Sequence, residues 1–332
     1  MLTAIVTALS ARQPTECELS HLKLSGAARR PTLVRAAPRR CACGFAPMTR
    51  SKDFVFLPRQ GAPLNSRSVR LSKPRSMDEL YDLTLRNMEA SHAVLAARVH
   101  RPQAVAFGSG FVFRYVERDV HQALVQKLAR VISGLHAARL LLAHGFVQEQ
   151  AALQRLLDEF NEDVMFLAHG VISGDMTNLH REYLAAFYEE EFDNPDSAIE
   201  STQKRPMVSR KKIRAYLARI TAEYVNPSSG VEVMRTVSKI YSGFVHGASP
   251  HIMDMYGGDP PRFHLRGMLG TARADDHRDD VWNSFYRSIG SFVFAAKAFG
   301  DEALVQSVLV YMRGFARAAD ESYAHPPERP EA

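Results

Sequence analysis

The residues of this chain with the clearest capacity for chemistry lie in one Gly-rich stretch, residues 241–258. It carries His246, His251, Asp254 and Tyr256. Imidazole, carboxylate and phenol groups at the end of a helix can transfer protons near neutral pH or bind a ligand. The alternative is structural, because His246 can bond the last carbonyls of a helix while His251 and Tyr256 fill a packed loop. We therefore expect either a small-molecule or metal site around these four residues or a packed loop.

A basic cluster follows an acidic run, residues 189–193, and has a second possible function. Its members are Lys204, Arg205, Arg210, Lys211, Lys212, Arg214 and Arg219. Arg210 and Arg214 are four residues apart, so they share one face of a helix. Such a face is a candidate site for the phosphates of RNA. Because the preceding run is acidic, internal ion pairing or a solvated face is the alternative.

Arginine and histidine occur at the Arg-x(4–6)-His spacing of HEPN-type ribonucleases in four places. The pairs are Arg86/His92, Arg114/His121, Arg130/His136 and Arg139/His144. The abundance of both residue types predicts about as many matches by chance, so the spacing alone assigns no catalytic residue. Only the first pair has the polar residue, Asn87, that often follows the arginine of that motif.

Metal and cofactor signatures are weak. A di-iron bundle needs two Glu-x-x-His pairs, and the body of the chain has one, Glu89 and His92. The spacing of Cys17, His21, Cys41 and Cys43 matches no common zinc finger. Phosphate-binding, dinucleotide-binding, nucleophile-elbow and zincin motifs are missing. We expect no cofactor and no bound metal from these patterns, and the catalytic residues, if any, are not identified.

Charge divides the chain into two parts. Residues 1–76 hold 14 Lys and Arg against three acids, a balance of +11, and the remaining residues hold 28 against 33, a balance of −5. The overall charge of +6 therefore belongs to the N-terminal part, and a basic surface for nucleic acid is not expected across the rest. Residues 29–40, rich in Arg, Ala and Pro, predict disorder.

The N-terminal part has three interpretations: a targeting peptide, a nucleic-acid-binding tail, or a stretch that precedes a later start at Met48. All three cysteines lie in it, and a body without cysteine is compatible with a cytoplasmic location. No run of 18 apolar residues occurs, so no membrane-spanning helix is expected.

Apolar residues recur at helical spacing through most of the body, so the predicted fold class is all-α. Ser76 and Glu79 form a capping-box pattern before the first helix, and Gly300-Asp301 separates the last two. The expected helices cover residues 77–99, 124–142, 153–167, 177–192, 209–224, 231–244, 282–299 and 304–315. Residues 107–115 suit either an interrupted helix or a strand, and residues 247–270 are expected to be irregular.

Short connections between these helices predict an antiparallel helical bundle of about seven to eight helices behind a disordered basic N-terminal arm. The expected domains are the arm, residues 1–75, the bundle, residues 76–322, and a disordered tail, residues 323–332. The stretch from Tyr241 to Gly258 resembles a feature of bacterial all-α proteins without assigned activity, which are similar to HEPN-like helical bundles. The resemblance covers about residues 77–320 and implies no particular activity.

Strong apolar periodicity without catalytic motifs favours a protein that works by binding, as a homo-oligomer, with no membrane association. An RNA-binding or ribonuclease role in defence or stress response is the first alternative. It rests on the all-α prediction and on the basic residues Lys204, Arg205, Arg210, Lys211 and Arg214. A ligand site at His246, His251, Asp254 and Tyr256 is the second alternative.

Overall fold

A computed structural model of the protein describes residues 76–194, 196–220, 236 and 239–324. Helices dominate these residues, and the strands form only two short hairpins, so the predicted all-α class is confirmed. The arm with its Cys and His residues and Met48, and half of the predicted helix at residues 231–244, lie outside the described residues.

Five helices of 20 or more residues form the body. They are α1 (Met77–Ala96), α2 (Val120–Ala143), α3 (Val147–Ile172), α7 (Ala272–Ala298) and α8 (Glu302–Ala324). Three shorter helices lie between α3 and α8, and residues 239–246 are also helical. The shorter helices are α4 (Asn178–Tyr188), α5 (Arg210–Ile220) and α6 (Ser249–Met253). The strands are β1 (Gln103–Phe107), β2 (Gly110–Arg114), β3 (Tyr256–Gly257) and β4 (Arg262–Phe263).

The predicted helix boundaries with polar caps are confirmed. Ser76 Oγ accepts a hydrogen bond from the amide of Glu79 at 3.2 Å, which begins α1. Asp301 Oδ1 accepts from the amide of Leu304 at 2.9 Å and begins α8, directly after Gly300 at φ 66°. Short polar signals in the sequence therefore fix where these helices begin and turn.

Helices that follow one another closely in the chain are antiparallel, as predicted. Lys127 of α2 contacts Asp163 of α3, and Gly134 lies against Leu157, so residue numbers rise along one helix as they fall along the other. A Cβ atom on Gly134 would lie 2.6 Å from Leu157 Cδ2, which explains why glycine occupies this close approach of α2 and α3.

Helices α3 and α7, in contrast, run parallel. Gln150 contacts His277, and Asn161 contacts Ser288, so residue numbers rise together along both helices. The parallel arrangement follows because residues 173–271 return the chain to the end of the bundle where α3 begins. The body is therefore up, down, up in α1 to α3, and up, down in α7 and α8.

The apolar stripes predicted for α2, α7 and α8 are buried in one core. Its members on α2 include Leu124, Leu128, Val131, Leu135 and Ala138, and on α7 and α8 they include Phe285, Phe292, Tyr311 and Phe315. The stripe predicted for α3 is partly wrong. Leu156 is 44 % exposed, whereas Gln150, Gln154 and Asn161 are buried because this side of α3 faces polar residues of α7.

The ambiguous segment at residues 107–115 belongs to a β-hairpin. Strands β1 and β2 pair antiparallel through the turn Gly108-Ser109, and Gly108 has φ 56° at the first turn position, where a two-residue hairpin favours glycine. Helix α4 ends at Tyr188, four residues before the predicted end, because Glu189 is extended. Residues 249–263, expected to be irregular, contain α6 and the β3–β4 hairpin.

Candidate functional site

The four residues singled out around the 246–256 loop make separate contacts. His251 packs against Phe244, with ring centroids 4.5 Å apart, and against Gly243. Asp254 Oδ1 accepts from Arg273 Nη2 at 2.6 Å, which ties the end of α6 to the first turn of α7. Tyr256 stacks edge-on against Phe263, its partner across the β3–β4 hairpin.

His246 is exposed at the end of the helical residues 239–246. Among these four described residues the backbone amide of Asp254 donates to the carbonyl of His251 at 3.2 Å within α6, and no side-chain hydrogen bond or ion pair joins any two of them. The described residues also contain no group of three or more His, Cys, Asp or Glu that could hold a metal ion. The structure therefore shows His251, Asp254 and Tyr256 in separate local contacts and His246 exposed, and a ligand site at this loop stays a prediction.

The basic cluster on α5 divides into an inner and an outer part. Arg210 Nη2 lies 2.5 Å from Asp163 Oδ1, and Arg214 Nε lies 2.9 Å from Glu162 Oε1. Lys127 of α2 reaches the other oxygen of Asp163 at 2.7 Å. These inner cations therefore neutralise carboxylates of α3 and hold α5 against the bundle.

The outer part of the cluster faces solvent. Lys204, Lys211 and Arg219 are exposed, and Lys212 makes only a long ion pair of 3.9 Å with Glu182. Arg205 pairs with Glu191 at 2.9 Å. If α5 contacts phosphates, the outer cations are the ones available to do so, since Arg210 and Arg214 are engaged with α3.

Of the four Arg/His pairs, two contribute a histidine to a shallow groove between α1 and α2. The groove has a volume of about 460 Å³ and is lined by Glu89, His92, Ala129, Ile132, Ser133 and His136. His136 Nε2 lies 2.9 Å from Glu89 Oε1. His92 Nε2 donates to the carbonyl of Val125 at 3.1 Å, and burial lowers the pKa of His92.

The arginines of these pairs do not line the groove. Arg139 pairs with Asp82, and the guanidinium of Arg130 lies over the ring of Phe160 at 5.4 Å. In the fourth pair, Arg114 binds Glu190 and the ring of His121 packs against Phe299. Two histidines of the four pairs therefore lie beside Glu89 on one open surface, and no arginine of the four pairs lines it.

The β1–β2 hairpin presents an apolar face that sequence reasoning missed. Ala104 pairs across the hairpin with Phe113, and Ala106 pairs with Phe111. Because side chains alternate along a strand and paired residues point the same way, these four residues share one face. All four are exposed, and the two phenylalanines are each 65 % exposed with ring centroids 5.6 Å apart. We call Ala104, Ala106, Phe111 and Phe113 the hairpin face.

The hairpin is fixed to the bundle at its base. Arg114 Nε and Nη2 donate to the two carboxylate oxygens of Glu190 at 2.5 and 2.9 Å. Tyr188 at the end of α4 donates to the carbonyl of Asp119, which caps α2. A two-stranded hairpin is marginally stable alone, so these contacts position an apolar face that the bundle itself does not cover. The alternation Ala-Val-Ala and Phe-Val-Phe around Gly-Ser-Gly was the available signal in the sequence.

A polar seam lies between the parallel helices α3 and α7. We define it by Gln150, Gln154, Asp158, Asn161 and Glu162 of α3 together with His277, Asp280, Ser284, Arg287, Ser288 and Ser291 of α7. Burial raises the pKa of the Asp158 and Glu162 carboxyls, although arginines beside them oppose the shift. Burial also lowers the pKa of His277 to about 4.

Comparison with models of known protein families, with curated proteins and with solved structures gave no match for this chain. Among the described helices, none has both the length and the apolarity needed to cross a bilayer. The function is therefore inferred from the surfaces and buried groups of the chain itself.

Proposed function

We propose that this protein is an interaction protein that associates with a second copy of itself through the hairpin face. The observation that carries the proposal is the exposure of all four residues of this apolar face on a hairpin that is anchored by Arg114 and Glu190. A folded protein gains free energy by covering such a face, and exposed contiguous apolar surface marks interaction sites.

A second copy is the occupant that the shape of the face favours. One strand contributes only the small residues Ala104 and Ala106, and the other contributes only the large residues Phe111 and Phe113. A two-fold axis that lies in the plane of the interface, parallel to the strands, places the phenylalanines of each copy over the alanines of the other. Such an interface is self-complementary, as a symmetric dimer requires.

The size of the face predicts weak association. Two phenylalanines bury on the order of 150–250 Å² each, while a stable interface takes about 800 Å² from each partner. The proposed dimer therefore depends on concentration, and its population changes when a single apolar contact is removed.

The test compares the wild type with the double variant Phe111→Ser and Phe113→Ser over a range of concentrations by sedimentation velocity. The wild type is expected to shift from monomer to dimer as concentration rises, whereas the double variant stays monomeric. Leu140→Ser is the matched control, because Leu140 is also strongly exposed, at 62 %, but lies on α2. Association that survives in the hairpin variant, or that is lost equally in the control, contradicts the proposal.

An RNA-directed role is a second candidate, supported by the exposure of Lys204, Lys211 and Arg219 in and just before α5. Because Arg210 and Arg214 are in ion pairs with α3, changing them would disturb folding as well as any RNA contact. The outer cations offer the cleaner test.

We expect Lys204→Gln with Lys211→Gln to weaken binding to a single-stranded RNA and to reduce the salt dependence of binding by about one counterion for each lysine. Lys239→Gln is the control, since Lys239 is exposed on another helix. The readout is fluorescence anisotropy at several salt concentrations. An RNA affinity that is unaffected by the double variant would remove RNA from the candidates.

A further inference from the structure

The polar seam contains buried polar atoms that the chain itself does not satisfy. Asp158 is 8 % exposed, and its Oδ1 forms an ion pair with Arg287 Nη2 at 2.7 Å, whereas its buried Oδ2 has no hydrogen-bond partner. Ser284 is fully buried, and its hydroxyl has no hydrogen-bond partner. Buried polar atoms are nearly always bonded, so each of these exceptions needs an explanation.

The unsatisfied atoms belong to one stretch of the seam. Ser284 lies one helical turn after Asp280 and one turn before Ser288, on the side of α7 that faces α3. Seam residues on both sides of Ser284 form hydrogen bonds. Gln150 and Gln154 bond each other and reach His277 and the carbonyl of Asp280, while Asn161 bonds the hydroxyls of Ser288 and Ser291. The gap in bonding is therefore confined to the middle of the seam.

Two carboxylates border that gap. Asp280 lies one turn before Ser284 on α7, and its carbonyl accepts from Gln154, one turn before Asp158 on α3. Burial and the negative charges of Asp280 and Asp158 raise the pKa of Tyr241.

Arg287 pairs with Asp158, and Arg214, whose charge also acts on Asp158, pairs with Glu162. Asp280 makes no ion pair with another described residue, so three carboxylates stand against two arginines. The gap thus has an excess of hydrogen-bond acceptors and of negative charge.

We propose that the middle of the polar seam, around Asp158, Ser284 and Asp280, binds a small molecule through a primary ammonium group. Such a group supplies what the chain lacks there, N–H donors for the Asp158 oxygens and the Ser284 hydroxyl together with a positive charge to balance the two carboxylates. Helix α5 and residues 239–246 cover the outer side, which favours a small ligand. This inference is independent of the hairpin face.

The supply of donors, and not charge alone, distinguishes this ligand from other cations. Methylammonium carries three N–H donors, whereas tetramethylammonium carries the same charge and none. A site that owes its affinity to the unsatisfied oxygens binds methylammonium and does not bind tetramethylammonium at equal ionic strength.

The experiment titrates the full chain with methylammonium chloride by isothermal titration calorimetry, with tetramethylammonium chloride as the matched probe. Saturable binding of methylammonium alone is expected. Asp158→Asn removes the charge and is expected to weaken binding about tenfold or more, since hydrogen bonds to charged groups are the strong ones. Ser284→Ala is expected to weaken it about two- to tenfold, the range for a neutral hydrogen bond.

Ser284→Ala keeps the test decisive if Asp158→Asn fails to fold, because it replaces an unbonded hydroxyl with hydrogen and leaves no unpaired charge. Ser91→Ala is its control, since Ser91 is equally buried but bonds the carbonyl of Asn87 in α1. No saturable binding of methylammonium, equal binding of both cations, or an affinity that Ser284→Ala leaves unchanged overturns the proposal.

Discussion

At the scale of single residues, His277 shows how the polar seam makes the stability of the bundle depend on pH. Its Nδ1 lies 3.2 Å from Gln150 Oε1, an acceptor, so Nδ1 carries the proton in the neutral ring. Burial between α3 and the ring of Phe244 lowers its pKa to about 4, and Arg273 adds to the shift. The folded protein therefore holds this imidazole neutral at pH values where an exposed histidine is protonated.

The pKa of His277 sets the sign of a pH effect. Between about pH 6.5 and pH 4 the unfolded chain binds this proton and the folded chain does not, so the free energy of unfolding falls as pH falls. Asp158 and Glu162, whose pKa values are raised, act in the opposite direction. The effect of His277 is therefore measured as the difference between wild type and His277→Gln.

We expect the difference in free energy of unfolding between wild type and His277→Gln to change by about 2–3 kcal/mol from pH 6.5 to pH 4, in favour of the variant at low pH. Urea unfolding at a series of pH values measures it. His144→Gln serves as the control for loss of an exposed imidazole. A difference for His277→Gln that stays constant from pH 6.5 to pH 4 would show that burial does not hold this ring neutral.

Two arginines show how much of the candidate sites could be predicted from the sequence. The sequence placed Arg210 and Arg214 on one helix face correctly, but whether that face meets RNA or carboxylates depends on which helix lies against it. The answer, Glu162 and Asp163 of α3, is some 50 residues away in the chain. The spacing of residues within one helix cannot predict a contact with a residue that far away in the chain.

At the scale of elements, two glycines fix the segment before α7 to the α2–α3 turn. Gly145, at φ 75°, accepts a hydrogen bond from the amide of Met268 at 2.8 Å. A Cβ atom on Gly145 would lie 2.6 Å from that nitrogen and 2.7 Å from the nitrogen of Leu269. On Gly267 it would lie 2.2 Å from the carbonyl oxygen of His144. Glycine at both positions is what allows the two backbones to approach.

Gly145→Ala is therefore expected to destabilise the fold by about 2 kcal/mol more than Gly174→Ala. Both glycines have positive φ, but the space around Gly174 is open, so alanine there carries the backbone strain without the clash. Thermal and urea unfolding of the two variants measure the difference. Equal losses would mean that the contact of residues 264–270 with the α2–α3 turn contributes little to stability.

Helices with a single apolar face could be predicted from the sequence, whereas elements whose buried side depends on the residues packed against them could not. The stripe from Leu124 to Leu142 predicted α2 because every member faces the core. In α3 the same logic selected Leu156, which is exposed, because polar residues such as Gln154 occupy part of its buried side. The hairpin was ambiguous because Gly108 and Gly110 end a helix and begin a turn equally well.

At the scale of the whole molecule, the long helices enclose a single apolar core, and the polar seam is internal. The hairpin face is different, because its four apolar side chains lie outside that core. The proposed self-association follows because four exposed apolar side chains share this one face of the hairpin.

Hydrogen–deuterium exchange at low and high protein concentration tests this claim most directly, since it reports both association and its location. We predict that amides of β1 and β2 exchange more slowly at the concentration where dimer forms, while amides of α4, which borders the hairpin base, do not change. The double variant Phe111→Ser and Phe113→Ser is expected to show no dependence on concentration. A dimer whose hairpin exchanges as fast as that of the monomer would contradict the account.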